Sequence, residues 1–288
     1  MIKILIIALF STTIIVSQPF KNVIFICIDG TSRNTLYALI NKGEMDGFNK
    51  VIQRGNYKNM MVAGKRLTND YLYYQVLTGL NAQEDYKKTP DYKSIFDQIK
   101  QYQLFRTTAF IPSTIKATDP RIRTFLINEK TKNKIDYFHE EIPRSQENIK
   151  GLILSFLKKK KYPFFMFANI PQVANIGNNY REGAQRYSAE IKKADAVLLD
   201  IIVYLEEEGL MNKTEIVLLT QHGFMKNSQI PSSEIWIAST KKILIKGKLE
   251  DVVPTLMDLM DMNTNQLPGK SLIRQKSVNI NKEEQFIF

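Results

Sequence analysis

Cysteine is almost absent. Cys27 is the only one in 288 residues, so no intramolecular disulfide can form and packing must hold the fold together. It stands in an apolar run and reads as a small buried hydrophobe rather than a nucleophile. Histidine is nearly as scarce: His139 and His222 are the only two. No centre built on three imidazoles can be made from them. Long apolar runs are missing apart from Ile4–Val16, which is too short to span a bilayer. Internal repeats and low-complexity linkers are missing too.

What is present suits a packed α/β protein. The chain is 44% apolar and 10% aromatic, enough for a sizeable core in one large domain or two small ones. Its formal charge of +11 favours anionic partners such as phosphates, acidic glycans or lipid headgroups. Alternatively, those charges simply solvate the surface. The run Lys158–Lys161 reads as the exposed end of a helix; no aromatics interleave with it, so nucleic acid is not an expected partner. Lys3, the apolar run and the small polar Ser17 have the shape of a signal peptide over residues 1–17. That predicts cleavage after Ser17, one domain over 18–288, and a secreted or lumenal protein without a membrane span. An uncleaved anchor is the rival reading. Asn212-Lys213-Thr214 is a glycosylation acceptor in a turn between two elements.

The hydrophobic pattern alternates strand and helix. Val23–Ile28 is continuously apolar and ends in Asp29-Gly30, as a buried parallel strand with an acid at its carboxyl end does. Phe164–Ile170 and Glu215–Thr220 read the same way, and Thr107–Ile111, Ile235–Ala238 and Ile243–Ile245 are shorter strand signals. Helical spacing runs through Leu36–Lys42, Tyr92–Tyr102, Asn148–Leu157, Arg186–Gly209 and Val252–Met260. Tyr73–Leu77, before Thr78-Gly79, reads as an apolar strand-like stretch. The expected fold is a three-layer αβα sandwich with a mixed, mainly parallel central sheet. In such folds the site lies outside the carboxyl ends of the strands. Asp29, Gln172 and His222 each follow a predicted strand, so one cleft can hold all three.

Three ordered segments carry a resemblance. "NVIFICIDGTSRNTL" at Asn22–Leu36, "YSAEIKKADAVLLDIIVYLEEEGLMNKTEIVLLTQHGF" at Tyr187–Phe224, and "LEDVVPTLMDLMDMNTNQLPGKSL" at Leu249–Leu272 together resemble the alkaline-phosphatase-like superfamily. The likeness is to its type I phosphodiesterase, nucleotide pyrophosphatase and sulfatase side. The resemblance implies hydrolysis or transfer of phosphate or sulfate esters. Many members use two metal ions, about 4 Å apart, that clamp an in-line displacement, together with a Thr or Ser nucleophile.

Residue by residue, much of that machinery is replaced. Asp29 and His222 match metal ligands of the family. Counting back from Thr78-Gly79-Leu80 puts Asn69 at the nucleophile position, with Thr68 beside it as the candidate catalytic residue. Gln221 stands for the Asp of Asp-His-Gly, Gln172 for the Asp of Pro-Asp, and Asn178 for the His of Gly-His. The two-zinc site of these relatives takes three His, and this chain has two. At most one divalent ion, zinc or manganese, is expected. A sulfatase reading fails because no Cys or Ser stands in a Cys-x-Pro-x-Arg context. Three functions remain open. One is an impaired homologue, a pseudoenzyme that binds an anionic small molecule, phosphate ester or acidic glycan. The second is an active single-metal phosphodiesterase or phosphotransferase using Asp29, Thr68, His222 and Gln221. The third is a secreted scaffold.

Overall fold

A computed structural model describes residues 21–63, 69–80, 93–102, 105–111, 133–139, 145–159, 163–265 and 267–273. The segment 1–17 and Thr68 lie outside them, and nothing is described of the Asn69 side chain.

The core begins with β1 (Asn22–Ile28), every residue of which is buried. Strand β5 (Phe164–Ile170) lies parallel to it on one side, and β6 (Thr214–Leu219) on the other. Both neighbours are also buried throughout, as a central strand covered on both faces requires. β3 (Arg106–Phe110) and β4 (Tyr137–His139) extend the sheet in parallel beyond β5. On the other flank β9 (Glu234–Ser239) runs antiparallel to β6 and to the edge strand β2 (Asn56–Met61). The order is β2-β9-β6-β1-β5-β3-β4, a mixed and mostly parallel sheet of seven strands. A two-stranded ribbon, β7 (Gly223–Phe224) with β8 (Pro231–Ser232), leaves the end of β6.

Alternate residues of β1 feed two cores. Ile24, Ile26 and Ile28 face α1 (Arg33–Asn41), α2 (Asp46–Arg54), α5 (Gln146–Lys159), α6 (Gln172–Tyr180) and α7 (Gln185–Glu207). Val23, Phe25 and Cys27 face α3 (Asn69–Thr78), α4 (Ile95–Tyr102) and α8 (Val252–Leu259). The expected three-layer αβα sandwich is therefore the fold. Burying one large apolar side chain is worth about 1.5–3 kcal/mol, and both faces of the central strands collect that gain. The longest helix, α7, ends before Gly209, whose φ of +65° turns the chain out of the helix. Pro254 sits in the first turn of α8, where its missing N–H costs nothing.

Two local readings need correction. Tyr73–Leu77 lies within helix α3, not a strand; its residues are buried on nearly every side, and a segment apolar all round shows no period to read. Ile243–Ile245 is not a strand. There Ile243 N–H donates to the Asn56 Oδ1 of β2 at 2.7 Å and Leu244 N–H to the Leu272 carbonyl at 2.8 Å, so a side chain and a loop carbonyl satisfy the backbone instead of a ladder.

Candidate functional site

Three chain ends converge where β1, β5 and β6 stop. Asp29 N–H still bonds to the Ile170 carbonyl at 3.0 Å, so the sheet carries Asp29 to the head of β5, just before Pro171 and Gln172. The turn after it is tightly built. Gly30 adopts φ +78°, and a Cβ on it would lie 2.4 Å from Ala174 Cα, so only glycine fits. The Tyr187 hydroxyl donates to the Gly30 carbonyl at 2.5 Å and accepts from Ser32 N–H at 2.8 Å. Ser32 caps α1 through a bond from Thr35 N–H. Its hydroxyl and that of Thr35 donate to Glu182 Oε1 at 3.1 and 2.6 Å, while Glu182 Oε2 accepts from Asn227 N–H at 2.8 Å. From the β6 side, the Thr220 hydroxyl accepts from Thr31 N–H and donates to the His222 carbonyl. The Asp29 and His222 turns are thus fastened to each other by the Thr220 side chain.

Inside this frame His222 Nε2 stands 3.4 Å from Asp29 Oδ1, both side chains almost wholly buried. His222 Nδ1 is 3.0 Å from the Gly223 carbonyl, which can only accept, so Nδ1 carries a hydrogen and Nε2 faces Asp29. The ring is held edge-on by Phe224. Burial pushes the Asp29 carboxyl above its usual range, opposed by His222 and by the Gly30 N–H. Gln221 points back along the sheet toward the Cys27 thiol, which burial and then the Asp29 charge raise well above its ordinary value. Asn169 is the cross-strand neighbour of Cys27. The Tyr73 hydroxyl, from α3, feels both Asp29 and Cys27, though burial is the larger cause of its raised pKa.

Among the described residues, several buried polar atoms here are without hydrogen-bond partners: Asp29 Oδ1, the Tyr73 hydroxyl and both amide atoms of Asn169 and of Gln221; Gln172 Oε1, at the start of α6, is another. An unsatisfied buried group costs about 1–3 kcal/mol, so such a concentration marks a place meant to meet something polar. Of Asp29, Gln172 and His222, which the sequence suggests for one cleft, the structure sets Asp29 and His222 side by side, with Gln221 next in the chain to His222, and starts α6 at Gln172 directly after β5. Asn178 is exposed on α6, and Asn212 is exposed in a single 3-10 turn with its Oδ1 accepting from Arg54 at 3.0 Å. Asn169, Tyr73, Glu182 and Tyr187 went unnoticed. An Asn inside an apolar strand was a usable signal; the other three gave none.

The donor set does not fit a two-metal centre. His139 lies on β4, three strands from β1 or roughly 14 Å at ordinary strand spacing. Among the described residues, no group of three His, Cys, Asp or Glu side chains is placed to hold a metal ion. Among the described side chains Asp29 is the one carboxylate placed beside His222, and amide oxygens offset little of a divalent charge.

A sequence profile for type I phosphodiesterases and nucleotide pyrophosphatases matches residues 65–265. This chain belongs to that family. β1 and Asp29 precede the matched stretch. No curated protein matches in sequence. Among solved structures, the lipoteichoic acid synthase LtaP from Listeria monocytogenes aligns with TM-score 0.61 and 14% identity, over 88% of this chain and 74% of its own. BT4656, solved with its substrate D-glucosamine-2-N,6-O-disulfate, gives 0.61 and 12% over 88% and 79%. Alkaline phosphatase from the Antarctic bacterium TAB5 gives 0.60 and 11% over 86% and 100%. These identities establish a shared fold. This phosphodiesterase-family chain shares its fold with these structures, and no described helix in it is long and apolar enough to cross a membrane.

Proposed function

We propose that this chain is a secreted, catalytically impaired phosphodiesterase homologue that keeps the cleft and binds an anionic ligand or glycan there. The observation that carries the reading is the replacement of acids by amides. Gln221 and Gln172 stand where the resemblance expects Asp, and each has buried polar atoms without a partner among the described residues, Gln221 directly before His222. Neutral donors and acceptors suit hydroxyls and ester oxygens better than they suit divalent ions. The charge of +11 favours an anion, and the disulfated sugar of BT4656 is a ligand of that kind on a related fold. Export is supported by the signal-like segment 1–17; it predicts Gln18 as the first residue of the exported protein, read by N-terminal sequencing.

The test pairs two assays on one preparation. Sulfated or phosphorylated sugars are expected to raise the melting temperature, while an aryl phosphodiester is not turned over with added zinc or manganese. Turnover would overturn the impaired reading, and the absence of any stabilisation across a panel of such sugars would overturn the binding reading.

A second reading, an active single-metal phosphodiesterase, has one observation in its favour. His222 donates from Nδ1 to a carbonyl and presents Nε2 beside Asp29, the orientation of metal-ligating imidazoles. One ion there would polarise an ester oxygen. Of the remaining donors that reading needs, Gln221 is a neutral amide and Thr68 lies outside the described residues.

A further inference from the structure

We propose that the β7–β8 ribbon and the α6–α7 turn beside it form a docking face for an anionic lipid surface, with Met225 and Ile230 entering the acyl boundary and Arg181 and Lys226 meeting the headgroups. This face lies outside the Asp29 and His222 site. It depends neither on the metal content of that site nor on the ligand proposed for the cleft.

Apolar exposure is the first argument. Ile230 and Met225 are the most exposed large apolar side chains among the described residues, at 60% and 54%. The ribbon places them together. Met225 N–H donates to the Ile230 carbonyl at 2.9 Å, one pair beyond Phe224 and Pro231. Residues directly opposite on paired strands share a face. Phe224 is buried edge-on against Tyr187 and His222, so alternation turns Met225 outward. Tyr180, exposed at the end of α6, adds a ring with an apolar body and a polar tip, the kind that suits a lipid interface.

The ribbon is pinned in that posture. A Cβ on Gly177 would lie 2.2 Å from the Phe224 ring, and one on Gly183 would lie 2.5 Å from Asn227 Oδ1. Glu182 N–H donates to the Ser228 carbonyl at 2.9 Å, which sets Arg181 beside the ribbon tip.

Charge is the second argument. Within 180–186 and 223–232 the exposed charged side chains are Arg181, Arg186 and Lys226; the one acid, Glu182, is buried by its bonds to Ser32, Thr35 and Asn227. The backbone of Arg181 carries the argument furthest. It holds φ 69° and ψ 160°, a region almost reserved for glycine. Its side chain is exposed, so core packing gives no reason for an arginine at this strained position. Strain kept for the sake of an exposed cation points to a use for the charge. Cations around an apolar tip match anionic headgroups over acyl chains. An acidic glycan lacks the apolar half.

The experiment labels Ile230→Cys of the full chain with nitrobenzoxadiazole, the native Cys27 being buried. Vesicles of phosphatidylcholine, alone or mixed equally with phosphatidylglycerol, are then added. The expected result is a blue-shifted, brighter emission with the mixed vesicles only, weakened by salt. In the same labelled background, Arg181→Gly is expected to raise the lipid concentration at half-saturation about fivefold. That variant is expected to melt no lower than its parent, because glycine relieves the backbone. Met225→Ser is expected to raise the half-saturating concentration about tenfold. No emission change with mixed vesicles, equal changes with both vesicles, or unaltered binding in both variants overturns the proposal. An emission change that follows protein concentration without vesicles also overturns it, by assigning the face to a second copy of the chain. None of these readouts involves metal, turnover or sugar, so the two proposals fail separately.

Discussion

Asp195 shows how a single buried acid is used. It sits on α7, and its two carboxylate oxygens accept from Gly47 N–H at 2.9 Å and Phe48 N–H at 2.7 Å, capping α2 from another element. Burial pushes its pKa from 3.8 to about 6, against those two hydrogen bonds. The folded protein therefore binds this proton more tightly than the unfolded chain, and stability from this group is lost as pH rises between those values. The stability difference between wild type and Asp195→Asn should change by about 3 kcal/mol across that window, measured by urea unfolding at several pH values. A flat difference would mean the carboxylate is not buried as described. Gly30 offers a second residue-level check. Gly30→Ala puts a Cβ 2.4 Å from Ala174 Cα at φ +78°, and should cost at least about 2 kcal/mol, by sterics and by a disfavoured backbone.

At the scale of elements, the site loop is held by side chains from far along the chain. Glu182, in the turn between α6 and α7, ties together Ser32, Thr35 and Asn227. Glu182→Ala leaves two buried hydroxyls and an amide without their acceptor, and should destabilise the protein by about 2–4 kcal/mol. Hydrogen exchange should then speed up at Thr31–Thr35 more than in β5; uniform exchange across both would contradict a local clamp. The strands β1, β5 and β6 were legible because doubly covered strands are continuously apolar, and Asp29 and His222 because each ends such a run. α3 was misread for the same reason in reverse, since a fully buried helix has no polar face. β2 and α2 escaped notice. β2 is an edge strand in which Tyr57, Asn59 and Met61 face outward, and α2 takes its N-terminal cap from α7 rather than from its own sequence. Asn169 and Tyr73 became meaningful only when the sheet register and the packing of α3 set them beside Cys27 and Asp29.

For the whole molecule, the sheet is the one shared with the solved structures, and the change we propose lies in the chemistry at its carboxyl edge. The frame that positions Asp29 and His222 is intact, yet the groups around them are amides, a thiol and a phenol. A frame of this quality needs no catalytic activity to persist, because it also forms the centre of the fold. The central claim is that this site no longer holds a divalent metal, and elemental analysis of protein purified without chelator tests it most directly. The account predicts no stoichiometric zinc or manganese, in wild type and His222→Ala alike. About one zinc or manganese per chain, lost in His222→Ala while the variant stays folded, would contradict it and establish the single-metal enzyme in its place.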